Sequence, residues 1–149
     1  MSDTQPVDGA SRGPMTVLFA DPDHGPRGQL AAAVLQAADG VGSFEVSSAG
    51  SAPGGDLTGV AEVLAERGIS FEPTFRQLDL SMAPDLMMVV CEEGCAACPY
   101  LPRAARIIRW PFEDPTVLSP AQRADALHAN VARLQDLSAQ LIVTRLRPA

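Results

Sequence analysis

The sequence predicts a small doubly wound α/β domain: four strands in one parallel sheet, with three or four helices completing three layers. Three observations predict it. Short apolar or β-branched runs alternate along the chain with segments of helical periodicity. Gly, Pro or capping residues punctuate the boundaries between them. The chain has 149 residues, 46% hydrophobic and 19% charged, which suits one globular domain.

The elements follow in order. Residues 1–14, rich in Ser, Asp, Gly and Pro, read as a disordered tail, and 15–147 as the domain. Thr16-Val-Leu-Phe-Ala20 reads as a buried strand, and Asp21-Pro-Asp-His-Gly-Pro26 as a loop outside regular structure. From Arg27 to Asp39, Leu30, Val34, Leu35 and Ala38 recur at helical spacing; Pro26 suits the first helical position and Gly40 the end. Phe44 to Ser48 reads as a strand, and Leu57 to Arg67 as a helix capped by Asp56 and stopped by Gly68. Ile69 to Asp79 reads as extended and irregular. Asp85 to Cys91 and Ala105 to Trp110 read as strands. Ser119-Pro-Ala-Gln122 carries a cap, a first-turn Pro and a capping-box Gln. It opens a long helix whose Leu127, Val131, Leu134, Leu137 and Leu141 form one apolar stripe.

Composition excludes several function classes. The net charge is -7, and all 11 basic residues are Arg, so any mechanism that needs a Lys is excluded. No basic stripe marks a nucleic-acid footprint, and an acidic domain is repelled by anionic membranes. The longest apolar run, Leu30 to Ala38, is interrupted at Gln36 and falls well short of the ~18 residues of a membrane span. No basic start followed by an apolar stretch opens the chain, so the expected location is cytoplasmic. No cofactor is expected.

In doubly wound folds ligands bind beyond the carboxyl ends of the strands. Those ends carry Asp21 to Arg27, Ser47 to Ser51, Cys91 to Cys98 and Trp110 to Pro115. The first of these leads into a helix N-terminus, where backbone N–H groups and the dipole favour an anion; His24, Gly25, Arg27 and Gly28 are the candidate anion-binding residues. Cys91, Cys95 and Cys98 fall within eight residues. In a reducing compartment such clustering points to redox work or to a soft ion held by three sulfurs, or else to idle thiols. Cys-x3-Cys-x2-Cys is also an iron–sulfur ligand spacing, but the chain is too short for the barrel that normally goes with it. Asp-Pro-Asp after an apolar strand is compatible with aspartyl-phosphate chemistry, which generally uses a downstream Lys that this chain lacks. The bland alternatives are a solvated loop for His24, a polar helix face for His128 and simple packing for Trp110.

Val17-Leu-Phe-Ala-Asp-Pro-Asp-His-Gly-Pro-Arg27-Gly-Gln-Leu-Ala31 resembles the phosphate loop of low-molecular-weight protein tyrosine phosphatases and thioredoxin-coupled arsenate reductases. Ser48-Ala-Gly50, Ala61 to Ile69, Cys91 with Cys98, and Trp110-Pro-Phe-Glu-Asp-Pro115 resemble later motifs of that family in the same order. The resemblance runs from about Thr16 to Leu146 and implies the family's flavodoxin-like topology. It further implies Arg27 as the oxyanion ligand, Asp114 as the general acid, Cys91 and Cys98 as a redox pair, and thioredoxin as a possible partner. The catalytic loop departs from the family: its nucleophilic Cys falls on Asp21, its Asn on His24 and its Ser on Gly28.

The family reaction needs a thiolate attacking phosphorus or arsenic. A carboxylate is a poorer nucleophile and brings a fixed negative charge to a dianion site; Arg27 is expected to pair with it. Three functions follow as expectations. The first is a regulatory pseudoenzyme that binds a phosphate-like oxyanion or a protein partner. The second is a thiol-based redox sensor or an arsenite or metal binder through Cys91, Cys95 and Cys98. The third is an enzyme of phosphatase type using Asp21 with Arg27 and Asp114.

Overall fold

The central strand is β1, Met15–Asp21, in which Val17 to Asp21 are all buried. The computed structural model describes residues 14–21, 27–50, 57–72, 76, 78, 81–90, 104, 106–110 and 118–146. All of the expected 1–14 tail except Pro14, and the Asp56 cap, therefore lie outside the described residues. The remaining elements are α1 (Arg27–Ala38), β2 (Phe44–Gly50), α2 (Val60–Ala65), β3 (Leu86–Val89), β4 (Arg106–Arg109) and α3 (Pro120–Leu146). The four strands form one sheet in the order β2-β1-β3-β4, and every pairing is parallel. This is the α/β arrangement the alternating sequence predicts.

Alternation along β1 sorts its side chains to two faces. Val17 and Phe19 enter a core with Leu30, Val34 and Leu35 of α1, Val60, Val63 and Leu64 of α2, and Leu127, Val131 and Leu134 of α3. Burying each of these side chains contributes about 1.5–3 kcal/mol. Leu18 and Ala20 point the other way, with Ala49, Met87 and Val89, against Leu78, Met82 and Ala104. Among the described residues all three helices contribute to the first core, and the second face is covered by non-helical segments.

Helix ends follow the expected chemistry in two places and depart from it in two. Ser119 Oγ accepts the Gln122 N–H at 3.4 Å, so Ser119 caps α3, and its hydroxyl donates to Gln122 Oε1 at 3.1 Å, the Gln122 side chain meeting the Ser119 hydroxyl rather than its backbone N–H. After α2, Gly68 takes a left-handed φ of 74°. Its N–H donates to the Ala65 carbonyl while the Ile69 N–H reaches back to Leu64, a Schellman turn that buries Ile69 against the core. By contrast α2 begins at Val60 with Gly59 as N-cap, three residues later than Leu57. After α1 the turn is made by Asp39 and Gly42 rather than by Gly40. Asp39 accepts the N–H groups of Ser43 and Phe44, and Gly42 has φ 70°.

Two strands run further than the sequence predicts. β1 includes Asp21, and β2 includes Ala49 and Gly50, because Asp21 and Gly50 still pair across the ladder. At the opposite end of the sheet, the Thr16 N–H and hydroxyl both meet Asp85 Oδ2, and the Asp85 N–H donates to Thr16 Oγ1. That reciprocal clasp ties β1 to the start of β3 at the edge remote from the site.

Candidate functional site

The strand order places the fold's winding reversal at β1, whose carboxyl end is where such sheets bind ligands. The end residues of all four strands meet there. Asp21 pairs with Gly50, the Val90 N–H donates to the Ala20 carbonyl at 3.2 Å, and the Trp110 N–H donates to the Val89 carbonyl at 2.8 Å. Trp110 is buried, its ring centroid 5.8 Å from that of Phe19 with the planes tilted by 50°. It packs, as the sequence suggests.

Two charged residues occupy this edge. Asp21 is 2% exposed and Arg27 3%, and Arg27 Nη2 donates to Asp21 Oδ1 at 3.2 Å. The local sequence builds the pair. The apolar run Val17 to Ala20 carries β1 through the core and delivers Asp21 at its last position, and Arg27 opens α1. Gly28 lets the helix come down on the strand: a Cβ there would lie 3.2 Å from Asp21 Cβ and 3.5 Å from the Phe19 carbonyl oxygen. Isolated charges at this depth would be costly, and together they form a neutral, hydrogen-bonded unit. A guanidinium so placed presents one of its donors to a carboxylate of the same chain.

Among the predicted site residues, the structure brings together Asp21, Arg27 and Gly28. His24, Gly25, Cys91, Cys95, Cys98 and Asp114 lie outside the described residues. Among the described residues no group of three or more His, Cys, Asp and Glu could hold a metal ion. No described helix is long and apolar enough to cross a membrane.

Sequence reasoning missed two polar features away from this edge. His128, read as a bystander on the polar face of α3, receives Arg67 Nη1 at Nδ1 (3.1 Å) and has Glu66 Oε2 3.6 Å from Nε2. These contacts tie the end of α2 to α3. Ser138 is fully buried on α3, and its hydroxyl has no hydrogen-bond partner among the described residues. The Arg67 contact spans 61 positions and leaves no local signal. The Ser138 position does follow the helical spacing of the apolar stripe, and that periodicity was the available clue.

No family model and no curated protein matches the chain. Solved structures do. An arsenate reductase from Archaeoglobus fulgidus superposes with a TM-score of 0.62 at 28% identity, over 83% of this chain and 98% of that one. A low-molecular-weight protein tyrosine phosphatase from T. tengcongensis gives 0.70 at 22% identity, over 87% and 99%. Vibrio vulnificus Wzb in complex with benzylphosphonate gives 0.65 at 21% identity, over 90% and 100%. In fold and extent the chain is similar to solved structures of low-molecular-weight tyrosine phosphatases and arsenate reductases.

Proposed function

We propose that the chain is a degenerate member of the low-molecular-weight tyrosine phosphatase and arsenate reductase family, without thiolate phosphatase or reductase chemistry, and that it acts as a regulatory or oxyanion-binding pseudoenzyme in the cytoplasm. The observation that carries this reading is the buried Asp21–Arg27 pair. The residue aligned with the family's nucleophile is a carboxylate, and the one aligned oxyanion ligand is already engaged by it. A bound dianion at about 4 Å from Asp21 would be repelled by roughly 4 kcal/mol per unit-charge pair at an effective dielectric near 20. Weak oxyanion binding therefore requires Asp21 to yield Arg27. Structural neighbours described as an arsenate reductase in the phosphate binding state and as Wzb with benzylphosphonate support an oxyanion as the ligand class.

A second reading has its own observation. The Val90 N–H bonds to the Ala20 carbonyl, so β3 ends beside the carboxyl end of β1, and Cys91, Cys95 and Cys98 come next in the sequence. Cys91, Cys95 and Cys98 then act as a dithiol–disulfide sensor or hold arsenite or a metal ion, with thioredoxin as the reductant. The test is turnover of p-nitrophenyl phosphate, and of arsenate with thioredoxin and its reductase, by the unmodified protein and by Asp21→Asn, beside thiol titration of Cys91→Ser. A pseudoenzyme turns over neither substrate in either form. An enzyme that uses Asp21 loses turnover in Asp21→Asn. A thiol sensor shows a stoichiometric disulfide or bound ion that Cys91→Ser abolishes.

A further inference from the structure

The end of α2 and the first half of α3 meet at Glu66, Arg67 and His128. Arg67 Nη1 lies 3.1 Å from His128 Nδ1, and Glu66 Oε2 lies 3.6 Å from His128 Nε2. The two ring nitrogens therefore face opposite charges. A guanidinium has only donors, so Nδ1 accepts, and the neutral ring carries its proton on Nε2, on the Glu66 side. Glu66 and Arg67 are consecutive and open the turn that leaves α2. There the Arg67 N–H donates to the Leu64 carbonyl, Gly68 takes φ 74° and Ile69 is buried. A bond from the ring to either side chain thus fastens this turn to α3.

Protonation of the ring changes which of the two it can hold. A second N–H then stands on Nδ1 and points at a guanidinium that has no acceptor to offer. That bond must break, because donor faces donor and positive charge faces positive charge. On the other side, the same proton turns the Nε2 approach to Glu66 into an ion pair. It draws together two groups that at 3.6 Å are just beyond a hydrogen bond. Histidine makes this change between about pH 5 and 8, and the His128 side chain, 38% exposed, is open to exchange protons with water. The other charged groups nearby in the described residues do not pair with the ring: Glu62 lies one turn before Glu66 on α2, and Asp125 one turn before His128 on α3. α1 also packs on α3, and its one charged residue, Arg27, is engaged by Asp21.

We infer that His128 is a two-position proton latch on α2: the neutral ring takes Arg67 and the protonated ring takes Glu66. The helix stays fastened to α3 across the change, while the Arg67 guanidinium is held on one side of it and released on the other. Arg67 alone would leave the seam loose in acid, and Glu66 alone would leave it loose in base. The inference stands apart from the chemistry at Asp21, and its readouts lie at the seam between α2 and α3.

The test is an NMR titration of the full chain from about pH 8 to 5.5. It follows the nitrogen-15 shifts of the His128 ring, the carbon-13 shift of the Glu66 carboxyl, and hydrogen exchange at the Arg67 side chain and the Gly68 and Ile69 amides, each corrected for its intrinsic pH dependence. In the unmodified protein, exchange at the Arg67 side chain should quicken about threefold or more as the ring is protonated, and the Glu66 carboxyl shift should follow the ring. Protection at Gly68 and Ile69 should change by less than about twofold. Glu66→Gln should make that protection fall about threefold on acidification, and Arg67→Met should make it rise by a similar factor. His128→Gln should abolish every one of these pH dependences. Arg67 exchange that ignores the ring, two variants that respond in the same direction, or Asp125→Asn reproducing the effect of Glu66→Gln would each overturn the inference. Should a variant fail to fold, the unmodified protein decides alone: release of Arg67 in step with the ring upholds the latch, and its absence overturns it.

Discussion

Replacing Asp21 by Ala takes the Asp21 carboxylate away from the Arg27 guanidinium at 3% exposure. Removing one partner of a buried ion pair typically costs about 3–5 kcal/mol. For a domain of this size that lowers the thermal midpoint by roughly 6 to 20 °C. Asp21→Asn keeps the volume and one acceptor, and loses about 1.5–3 kcal/mol, the scale of a hydrogen bond to a charged group. Arg27→Met in the Asp21→Ala background removes the buried charge that has lost its carboxylate, so the double variant should be more stable than Asp21→Ala alone. The vacated position is also an anion site. Phosphate at a hundredfold over its dissociation constant should restore about 2.7 kcal/mol to Asp21→Ala and much less to the unmodified protein. Urea denaturation of the three variants, with and without phosphate, measures all of this. A loss below about 1 kcal/mol in Asp21→Ala, or equal stabilisation of variant and unmodified protein by phosphate, would refute the reasoning.

Three further predictions concern neighbouring features. Gly28→Ala sets a Cβ 3.2 Å from Asp21 Cβ and against the Phe19 carbonyl; the crowding should outweigh the helix gain of up to ~1 kcal/mol and destabilise the domain, with relief in an Asp21→Gly background measured by a double-mutant cycle. Because Arg67 donates to His128 Nδ1, the neutral ring should carry its proton on Nε2; nitrogen-15 NMR reads the tautomer, and an Nδ1–H form would contradict the geometry. Ser138→Ala should be neutral or stabilising by up to about 0.5 kcal/mol in urea denaturation, because it removes a buried hydroxyl with no described partner and favours the helix.

The fold was legible because alternation between apolar runs and helical spacing needs only local sequence. The Ser119 cap and the Gly68 stop were legible for the same reason, each depending on residues within one turn. Strand ends were not: Asp21 and Gly50 look like loop residues and become strand only because they face each other across the ladder. The start of α2 was misplaced because Asp56 is a good cap by type, whereas the helix begins at Val60 with left-handed Gly59 before it. At the site, the pairing of Asp21 with Arg27 was legible from charge and spacing. The depth of burial was not, because it comes from Gly28 allowing α1 to settle on the strand end.

The most direct test of the account is turnover by the unmodified protein, measured with p-nitrophenyl phosphate and with arsenate coupled to thioredoxin and its reductase, beside Asp21→Asn. The account predicts no turnover by either form. Turnover by the unmodified protein that disappears in Asp21→Asn would make Asp21 a catalytic residue and contradict the pseudoenzyme reading.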